Sequence, residues 1–172
     1  MTQREEHRSL YLSYLECCNE HDFDRMASFY TSTIKVNDVP MDPAAVAAQF
    51  APLFSAFPDW HWEIRNLVVD CDYIAVHFTV TGTHRGAFQG IEATGRRVTI
   101  SEFTFYRLED GKFAEVWDHT DMDAVMRQIG QGEAHPLTAP ETKLVLRIAD
   151  IAEHVWFWSH WHWRRAERSV GA

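Results

Sequence analysis

Residues 105–121, FYRLEDGKFAEVWDHTD, decide the fold of this chain. Apolar and polar residues alternate on both sides of the turn EDGK at 109–112, and such alternation is typical of half-buried strands. The Asp-Gly pair favours a tight hairpin, because it tolerates the positive φ angles that hairpin turns require. The segment therefore predicts two antiparallel strands, over 97–108 and 113–119.

Two further strands precede this hairpin in the sequence. Trp60, Trp62 and Ile64 alternate with polar residues, which is strand spacing, and residues 73–82 are rich in β-branched and aromatic side chains. Residues 84–96 contain three glycines and predict a long loop. We therefore expect a sheet of four strands, joined largely as antiparallel neighbours.

Helical patterns lie mainly before this sheet. The predicted helices cover 4–20, 22–30, 43–57 and 121–129. Asp42-Pro43 is a typical helix start, with a capping carboxylate followed by proline, whereas residues 31–39 predict a short strand or a loop. This order predicts an α+β fold, in which helices cover one face of a curved antiparallel sheet and leave a pocket between the two layers.

Composition excludes several classes of protein. The chain has 172 residues, 46% of them hydrophobic, and a formal net charge of −9. This predicts a folded globular protein that is a poor candidate for binding nucleic acid or an anionic membrane, because both need a basic face. Three cysteines without a CxxC pair, no evident signal peptide and no long apolar run lead us to expect a cytoplasmic protein with inert thiols.

The sequence divides the chain into three parts. Residues 1–130 form the predicted α+β domain, 131–140 (QGEAHPLTAP) a linker, and 141–172 a helical extension with four of the seven tryptophans. We expect the extension to cross a partner subunit or to cover the pocket, with attachment to a membrane interface as the alternative. Its histidines lack the i, i+4 spacing of a helical metal site, so no metal is predicted.

The stretch from Phe57 to Gly130 resembles the SnoaL-like polyketide cyclases, which belong to the nuclear-transport-factor-2-like superfamily. The motifs that carry the resemblance are FPDW at 57–60, TVTGTHRGAFQGIEATGRRV at 79–98, FYRLEDGKFAEVWDHTD at 105–121 and MRQIG at 126–130. The resemblance implies a cone-shaped barrel, made of a curved antiparallel sheet closed by the N-terminal helices. It also implies cofactor-free chemistry in an enclosed cavity, and a homodimer or higher homo-oligomer formed through the open sheet face.

The resemblance also implies the site residues. The acid/base residue of these cyclases is an aspartate at the end of the strand after the Asp-Gly-Lys hairpin, and Asp118 matches that position. The cyclases carry polar side chains two residues apart on the preceding strand, and Glu102 and Thr104 match these. The better-known cyclases have Gln and His there, so this chain departs from their pattern.

Strand alternation leads to the same group of residues without the family. The residues expected on the face of Glu102 are Ile100, Thr104 and Tyr106, and those expected on the face of Asp118 are Val116 and Ala114. Apolar surroundings and a nearby like charge both disfavour ionisation, so we predict a raised pKa for Asp118, Glu102 or both. Two carboxyl groups with separated pKa values can act as base and acid near neutral pH.

Several other side chains are candidates for contact with a ligand. The predicted substrate-binding residues are His77, Thr104, Tyr106, Tyr14, Tyr30, Asn37, Trp60 and Trp62. Packing in the core is the alternative for the aromatic residues, and a structural role in the sheet is the alternative for His77. Asn37 is expected near the mouth of the pocket, where its amide could bond a substrate carbonyl.

Structural roles are open for the remaining polar residues near the site. Asp118 could instead bond backbone at the end of its strand, and Glu102 could pair with a neighbouring arginine. Asp121 is expected to cap the following helix, His84 to fix the long loop, and His119 to point away from the pocket.

Together these features predict a cofactor-independent enzyme of the cyclase or isomerase (lyase or isomerase) class. It would act on an apolar polyketide-like substrate in secondary metabolism, such as antibiotic biosynthesis. Asp118 would remove a proton next to a carbonyl or protonate the developing alkoxide during an intramolecular aldol ring closure. Two alternatives stay open: hydrolytic ring opening of an epoxide by Asp118 and Glu102, and a non-catalytic module that binds a ligand. No P-loop, GxGxxG, GxSxG or HExxH motif occurs.

Overall fold

A computed structural model, which describes residues 2–130, confirms the predicted α+β architecture. The helices are α1 (Gln3–Glu20), α2 (Phe23–Ala27), α3 (Pro43–Ala48), α4 (Ala51–Ala56) and α5 (Met122–Gly130). The strands are β1 (Tyr30–Val36), β2 (Val39–Met41), β3 (His61–Asp70), β4 (Tyr73–Thr83), β5 (Arg97–Glu109) and β6 (Lys112–Thr120). The predicted linker at 131–140 and extension at 141–172 lie outside the described residues. None of the helices within 2–130 is long and apolar enough to cross a membrane.

Local capping interactions define the helix ends. Thr2 and Glu5 form a capping box at the start of α1, in which each side chain accepts the backbone N–H of the other residue. His21 ends α1 in the left-handed conformation, with φ of 58°. Asp22 and Asp42 accept backbone N–H groups at the starts of α2 and α3, which confirms both predicted helix starts.

Two helices are shorter than predicted. The segment predicted as one helix over 43–57 forms α3 and α4, because Pro52 lies in the first turn of α4, lacks an N–H and sterically excludes a continuous helix. The second helix ends at Ala27 rather than at Tyr30. Tyr30 instead begins β1 and pairs with Phe113 of β6, a long-range contact that overrides the local helical spacing.

The sheet has six strands rather than the four predicted, in the order β2-β1-β6-β5-β4-β3. Residues 31–39 contribute to β1 and β2, which form an antiparallel pair. β1 runs parallel to β6, whereas all other neighbouring strands are antiparallel. The curved sheet is therefore mixed, and its free edges at β2 and β3 leave it open rather than closed into a hydrogen-bonded barrel.

Side-chain amides bond backbone groups that have no strand neighbour. Asn19 Oδ1 of α1 accepts a hydrogen bond from the N–H of Trp62 on edge strand β3 at 2.9 Å, and Asn19 Nδ2 donates to the Trp62 carbonyl at 3.1 Å. Gln128 of α5 makes the same two bonds to Thr99 of β5, at 2.9 and 3.0 Å. These amides pair with backbone N–H and carbonyl groups that no neighbouring strand bonds, and they join α1 and α5 to the sheet.

Alternation along β5 divides the sheet into two faces, as predicted. The inner face of β5 carries the buried residues Ile100, Glu102, Thr104, Tyr106 and Leu108, and the outer face carries the exposed residues Thr99, Ser101, Phe103 and Phe105. The main hydrophobic core lies on the inner face and includes Tyr11 of α1, Phe54 of α4 and Val125 of α5. Polar residues on the inner face are therefore held among apolar side chains.

A β-bulge changes the predicted alternation at the start of β6. Phe113 pairs with Leu108 and Glu115 pairs with Arg107, so Ala114 is the extra residue between them. Phe113 therefore lies opposite the inner-face residue Leu108, and the extra residue Ala114, which is predicted on the inner face, is buried as well. Beyond the bulge the alternation resumes, and the end of β6 keeps the predicted faces.

Candidate active site

Glu102 lies at the centre of the polar contacts on the inner face. Its side chain is almost wholly buried and accepts three hydrogen bonds from three different strands. Trp62 Nε1 donates to Oε1 at 3.0 Å, Thr104 Oγ1 to the same oxygen at 3.4 Å, and Thr120 Oγ1 to Oε2 at 2.8 Å. The carboxyl group is thus held in one orientation, since both of its oxygens have partners.

Asp118 lies beside this group on the inner face of β6 and is only partly buried. It pairs across the strands with Thr104, and Glu102 pairs with Thr120, so the two acidic residues are diagonal neighbours. Asn37 Nδ2 donates to Asp118 Oδ1 at 3.0 Å, and the Asp118 N–H donates to Asn37 Oδ1 at 3.2 Å. Within residues 2–130, no hydrogen bond to Asp118 Oδ2 is present.

Asn37 owes this position to the turn between β1 and β2. Its φ of 46° is in the left-handed region, which Asn tolerates better than most residues. Its backbone N–H donates to the carbonyl of Val116 at 2.8 Å, which joins the turn to β6. The Asn37 side chain therefore fixes the orientation of the Asp118 carboxylate, and both ends of its amide are already hydrogen-bonded to Asp118.

The protein raises the pKa of both carboxyl groups, as predicted. Burial raises the pKa of Glu102 to about 7, and the nearby Asp118 charge adds to this rise, although hydrogen bonds from Thr120, Trp62 and Thr104 oppose it. Burial raises the pKa of Asp118 to about 6, against the opposing hydrogen bond from Asn37. Between these two values Asp118 is mostly ionised and Glu102 mostly protonated, so one can accept a proton while the other donates.

The structure brings some of the predicted ligand-contacting residues to this pair. Thr104 and Trp62 bond Glu102 directly. Tyr106 also lies on the inner face of β5, but its ring packs against Tyr11 and Phe113, with centroids 5.3 and 4.9 Å apart, so it belongs to the packed core. The ring of Trp62 contacts Phe50 and Phe54, with centroids 6.1 and 5.9 Å apart. Phe50, Phe54 and Trp62 therefore form an aromatic wall beside Glu102.

Other predicted aromatic residues belong to the packed core. The Tyr14 and Tyr30 hydroxyls share a hydrogen bond of 2.7 Å, and both rings contact Phe113, so these tyrosines have partners without a ligand. Trp60 is 1% exposed and packs against Phe57, 5.3 Å between ring centroids. The packing alternative describes all three of these residues well.

His77 does not lie with the other candidates. Its neighbour across the strands is the outer-face residue Phe103, and the two rings stack 4.3 Å apart and nearly parallel. Its Nδ1 bonds Asn66 at 3.1 Å. The expectation that His77 lines the inner pocket is therefore wrong, because the alternation that turns Val76 and Phe78 inward turns His77 outward.

The polar residues with expected structural roles lie as predicted. Asp121 Oδ1 accepts the N–H of Ala124 at the start of α5. His119 is exposed and pairs with outer-face Phe103, so it points away from Asp118. His84 is fully buried, and its ring Nδ1 bonds Thr94 across the long loop at 3.0 Å.

Thr120 is the site residue that sequence reasoning did not identify. It makes the shortest hydrogen bond to Glu102, yet the predicted strand ended at 119 and so excluded it. The signal was present in the sequence, because Thr120 lies two residues after Asp118 and alternation would turn both to one face. The direct contact between Asn37 and Asp118 had no such signal, since it depends on the turn between β1 and β2.

Metal ligation has no candidate in the part of the chain that the structure describes. No group of three or more His, Cys, Asp or Glu side chains within residues 2–130 is arranged to hold a metal ion.

Comparisons with known proteins agree with this architecture. Residues 8–129 match the family model described as SnoaL-like polyketide cyclase. A SnoaL-like polyketide cyclase from Agrobacterium tumefaciens is 29% identical, with a TM-score of 0.63, and the alignment covers 72% of this chain and 98% of that one. None of the curated proteins matches the chain.

Two Streptomyces structures are also similar. AclR, a putative hydroxylase from Streptomyces galilaeus, is 26% identical with a TM-score of 0.67, over 76% of this chain and 99% of AclR. TsrD from Streptomyces laurentii is 26% identical with a TM-score of 0.66, over 76% of this chain and 98% of TsrD. The similarity thus extends over nearly the whole length of these proteins.

Proposed function

The chain belongs to the SnoaL-like polyketide cyclase family, and on that premise we propose that it is a cofactor-independent cyclase. Its substrate would be an apolar, polyketide-like molecule with several carbonyl groups. The reaction would be an intramolecular aldol addition in which Asp118 is the general base and Glu102 the general acid. The observation that carries this proposal is the pair of inner-face carboxyl groups, whose raised pKa values differ.

The proposed reaction moves protons and forms one carbon–carbon bond. The Asp118 carboxylate removes a proton from a carbon next to a carbonyl, and the resulting enolate carbon attacks a second carbonyl carbon. That carbonyl's oxygen receives the electron pair and takes a proton from Glu102. The proton on Asp118 then returns to Glu102 through water or the product hydroxyl. The product is an isomer of the substrate, since no atom is gained or lost.

The different burial of the two carboxyl groups supports the assignment of these roles. Asp118 is partly exposed, and its Oδ2 makes no hydrogen bond within residues 2–130, so this oxygen is the one that would accept the substrate proton. Glu102 lies behind three donors and is 8% exposed, which suits a group that must keep its proton near neutral pH. General acid–base catalysis of this kind contributes about 10²–10⁴-fold to a rate.

The aromatic wall supports an apolar substrate. Phe50, Phe54 and Trp62 contact one another next to Glu102, and Phe50 keeps part of its surface exposed. Such a wall can hold a flexible chain with its reacting carbons close together. Holding reacting groups in a near-attack geometry can lower a barrier by several kcal/mol, roughly 7 or more in favourable cases.

The mass of the product tests this proposal. Native mass spectrometry of the protein from its own host would identify a bound small molecule, which is then offered to wild type and to Asp118→Asn. We expect wild type to convert it to an isomer of equal mass, and Asp118→Asn to bind it but lose at least about 10²-fold in turnover. A product heavier by one water would favour epoxide opening instead, and a bound molecule that is never converted would favour a binding module.

We also propose that two copies of the chain associate through the outer face of the sheet. Phe103 and Phe105 are 56% and 41% exposed there, and Tyr73 stacks on Phe105 with centroids 5.3 Å apart. Phe105 also contacts Trp117 of the neighbouring strand. An apolar patch of this kind is rare on a monomer, and a second copy of the same face would bury it.

A further inference from the structure

The three donors to Glu102 differ in what they can do once the carboxyl group is protonated. The indole N–H of Trp62 can only donate, whereas the Thr104 and Thr120 hydroxyls can donate or accept. Trp62 bonds Oε1 at 3.0 Å, and Thr120 bonds the other oxygen, Oε2, at 2.8 Å. The two carboxyl oxygens therefore have partners of different chemical kind.

This difference decides which oxygen can hold the proton. If the proton were on Oε1, the indole N–H of Trp62 would face a hydroxyl oxygen, which is a much weaker acceptor than a carbonyl oxygen. Trp62 is 7% exposed, and within residues 2–130 its indole N–H makes one hydrogen bond, to Oε1, so this arrangement would cost the free energy of a buried hydrogen bond. With the proton on Oε2, Oε1 stays a carbonyl acceptor for the indole, and the Thr120 hydroxyl can rotate to accept.

We propose that Thr120 is a positioning residue for Glu102. The Trp62 indole keeps Oε1 as an acceptor, so the acid proton lies on Oε2, where the Thr120 hydroxyl accepts its hydrogen bond. Thr104 contributes less, because its hydroxyl lies 3.4 Å from Oε1, near the limit of a hydrogen bond. The acid proton thus has one defined direction, towards Thr120 on β6.

The position of Thr120 gives this direction a use in catalysis. Glu102 is almost wholly buried, whereas Thr120 keeps part of its surface exposed. A proton leaving Oε2 would bond to Thr120 Oγ1 while the proton of the Thr120 hydroxyl moves on to the product oxygen. One proton then leaves Glu102, and the threonine is unchanged. This use rests on the proposed function, but the hydrogen-bonding arrangement does not.

Three other titratable groups within residues 2–130 act on Glu102. Asp118 lies diagonally across on β6, and Tyr11 and Cys18 approach from α1. Burial raises the pKa of Tyr11 and of Cys18, so both stay neutral around pH 7. Asp118 is therefore the single neighbour among these whose charge changes in the same pH range.

Nuclear magnetic resonance of the Trp62 indole tests the proposal without a substrate. The full chain is labelled with ¹⁵N-tryptophan, and the signal absent from Trp62→Phe is assigned to Trp62. We expect this signal to shift once with pH, with a midpoint of about 7, and to remain at a hydrogen-bonded position on the acidic side. Loss of that hydrogen bond below the midpoint would place the proton on Oε1 and overturn the proposal.

Variants of Thr120 provide the second readout. Thr120→Val removes a hydrogen bond that favours the carboxylate, so we expect its midpoint to rise by at least about half a pH unit. Thr120→Ser keeps the hydroxyl, so its midpoint should equal that of wild type. If Thr120 only filled space, the midpoint would not depend on the hydroxyl group. An unchanged midpoint in Thr120→Val, or a serine variant that behaves like the valine variant, would contradict the proposal.

Two controls separate this inference from the proposed function. Glu102→Gln should abolish the titration near pH 7, and Asp118→Asn should lower its midpoint, because the like charge is removed. None of these readouts involves turnover. If no cyclase activity is found but the titrations follow these expectations, the proposed function fails and the positioning role of Thr120 stands.

Discussion

Glu102 shows how much of the site's chemistry follows from the burial of one residue. Three hydrogen bonds favour its carboxylate form, yet its pKa still rises to about 7 because burial outweighs them. The ionised form of Glu102 is therefore energetically unfavourable in the folded protein. A rise of this size from an ordinary glutamate corresponds to roughly 3 kcal/mol of free energy of unfolding.

The burial of Glu102 makes stability depend on pH in a defined direction. Because the folded pKa is higher than the unfolded one, the folded state binds more protons, and stability falls as pH rises from about 4.5 to about 7. Glu102→Gln keeps the shape without the charge. We expect urea unfolding to give this variant up to roughly 3 kcal/mol more stability than wild type at pH 8, and little difference at pH 4.

Glu63→Gln is the matched control for this prediction. Glu63 is exposed on β3, so its carboxyl group stays in water, and its replacement should leave the unfolding free energy within about 0.5 kcal/mol of wild type at both pH values. A stability difference between Glu102→Gln and wild type that does not grow with pH would contradict the prediction that burial disfavours the Glu102 carboxylate.

At the scale of secondary-structure elements, the sequence predicts the features that depend on local patterns, namely the faces of strand residues and the starts of helices. The inner positions of Glu102 and Asp118 follow from alternation along β5 and the end of β6, and the helix starts follow from capping residues. The same rule could have turned His77 outward, because its neighbours Val76 and Phe78 are apolar. The position of His77 within its strand, and not its residue type, therefore decides which face it occupies.

The features that sequence did not predict depend on contacts between distant segments. A short strand is one of the two predictions for 31–39, but the parallel pairing of Tyr30 with Phe113 depends on a distant segment and is not indicated by a local pattern. The contact of Asn37 with Asp118 follows from that pairing. The bulge at Ala114 likewise appears only when β5 and β6 are aligned.

Close approach between β4 and the residues before β3 yields an element-level prediction. A Cβ atom at Gly82 would come within 2.7 Å of Trp60 Cε3 and 3.3 Å of Phe57 Cβ. Both rings are buried and cannot move freely, so we expect Gly82→Ala to lose about 1–3 kcal/mol in thermal or urea unfolding. Gly130→Ala is the control, because its nearest neighbour is Ile91 at 3.6 Å, and it should change stability by under about 0.5 kcal/mol. Equal stabilities of the two variants would contradict this packing.

At the scale of the whole molecule, the two faces of the sheet carry different kinds of side chain. The inner face holds the carboxyl pair, and the outer face exposes aromatic rings that lie in contact with one another. The formal charge of −9 opposes association between copies, so an apolar surface is needed to offset that repulsion.

The proposed dimer gives the whole-molecule prediction. Phe103→Glu places a charge at the most exposed of the outer-face aromatic residues. We expect sedimentation equilibrium to give twice the monomer mass for wild type and the monomer mass for this variant. Leu12→Glu is the control, since Leu12 is also exposed but lies on α1, and its mass should equal that of wild type. A wild-type monomer, or a Phe103→Glu dimer, would exclude assembly through this face.

The central claim is that two inner-face carboxyl groups titrate near neutral pH and in a fixed order. Titration followed by ¹³C nuclear magnetic resonance of the side-chain carboxyl carbons measures this directly, with Asp118→Asn and Glu102→Gln assigning the two signals. We predict midpoints of about 6 for Asp118 and about 7 for Glu102. Midpoints near 4 for both groups would contradict the account, because each carboxyl would then be ionised at neutral pH and neither could serve as the acid.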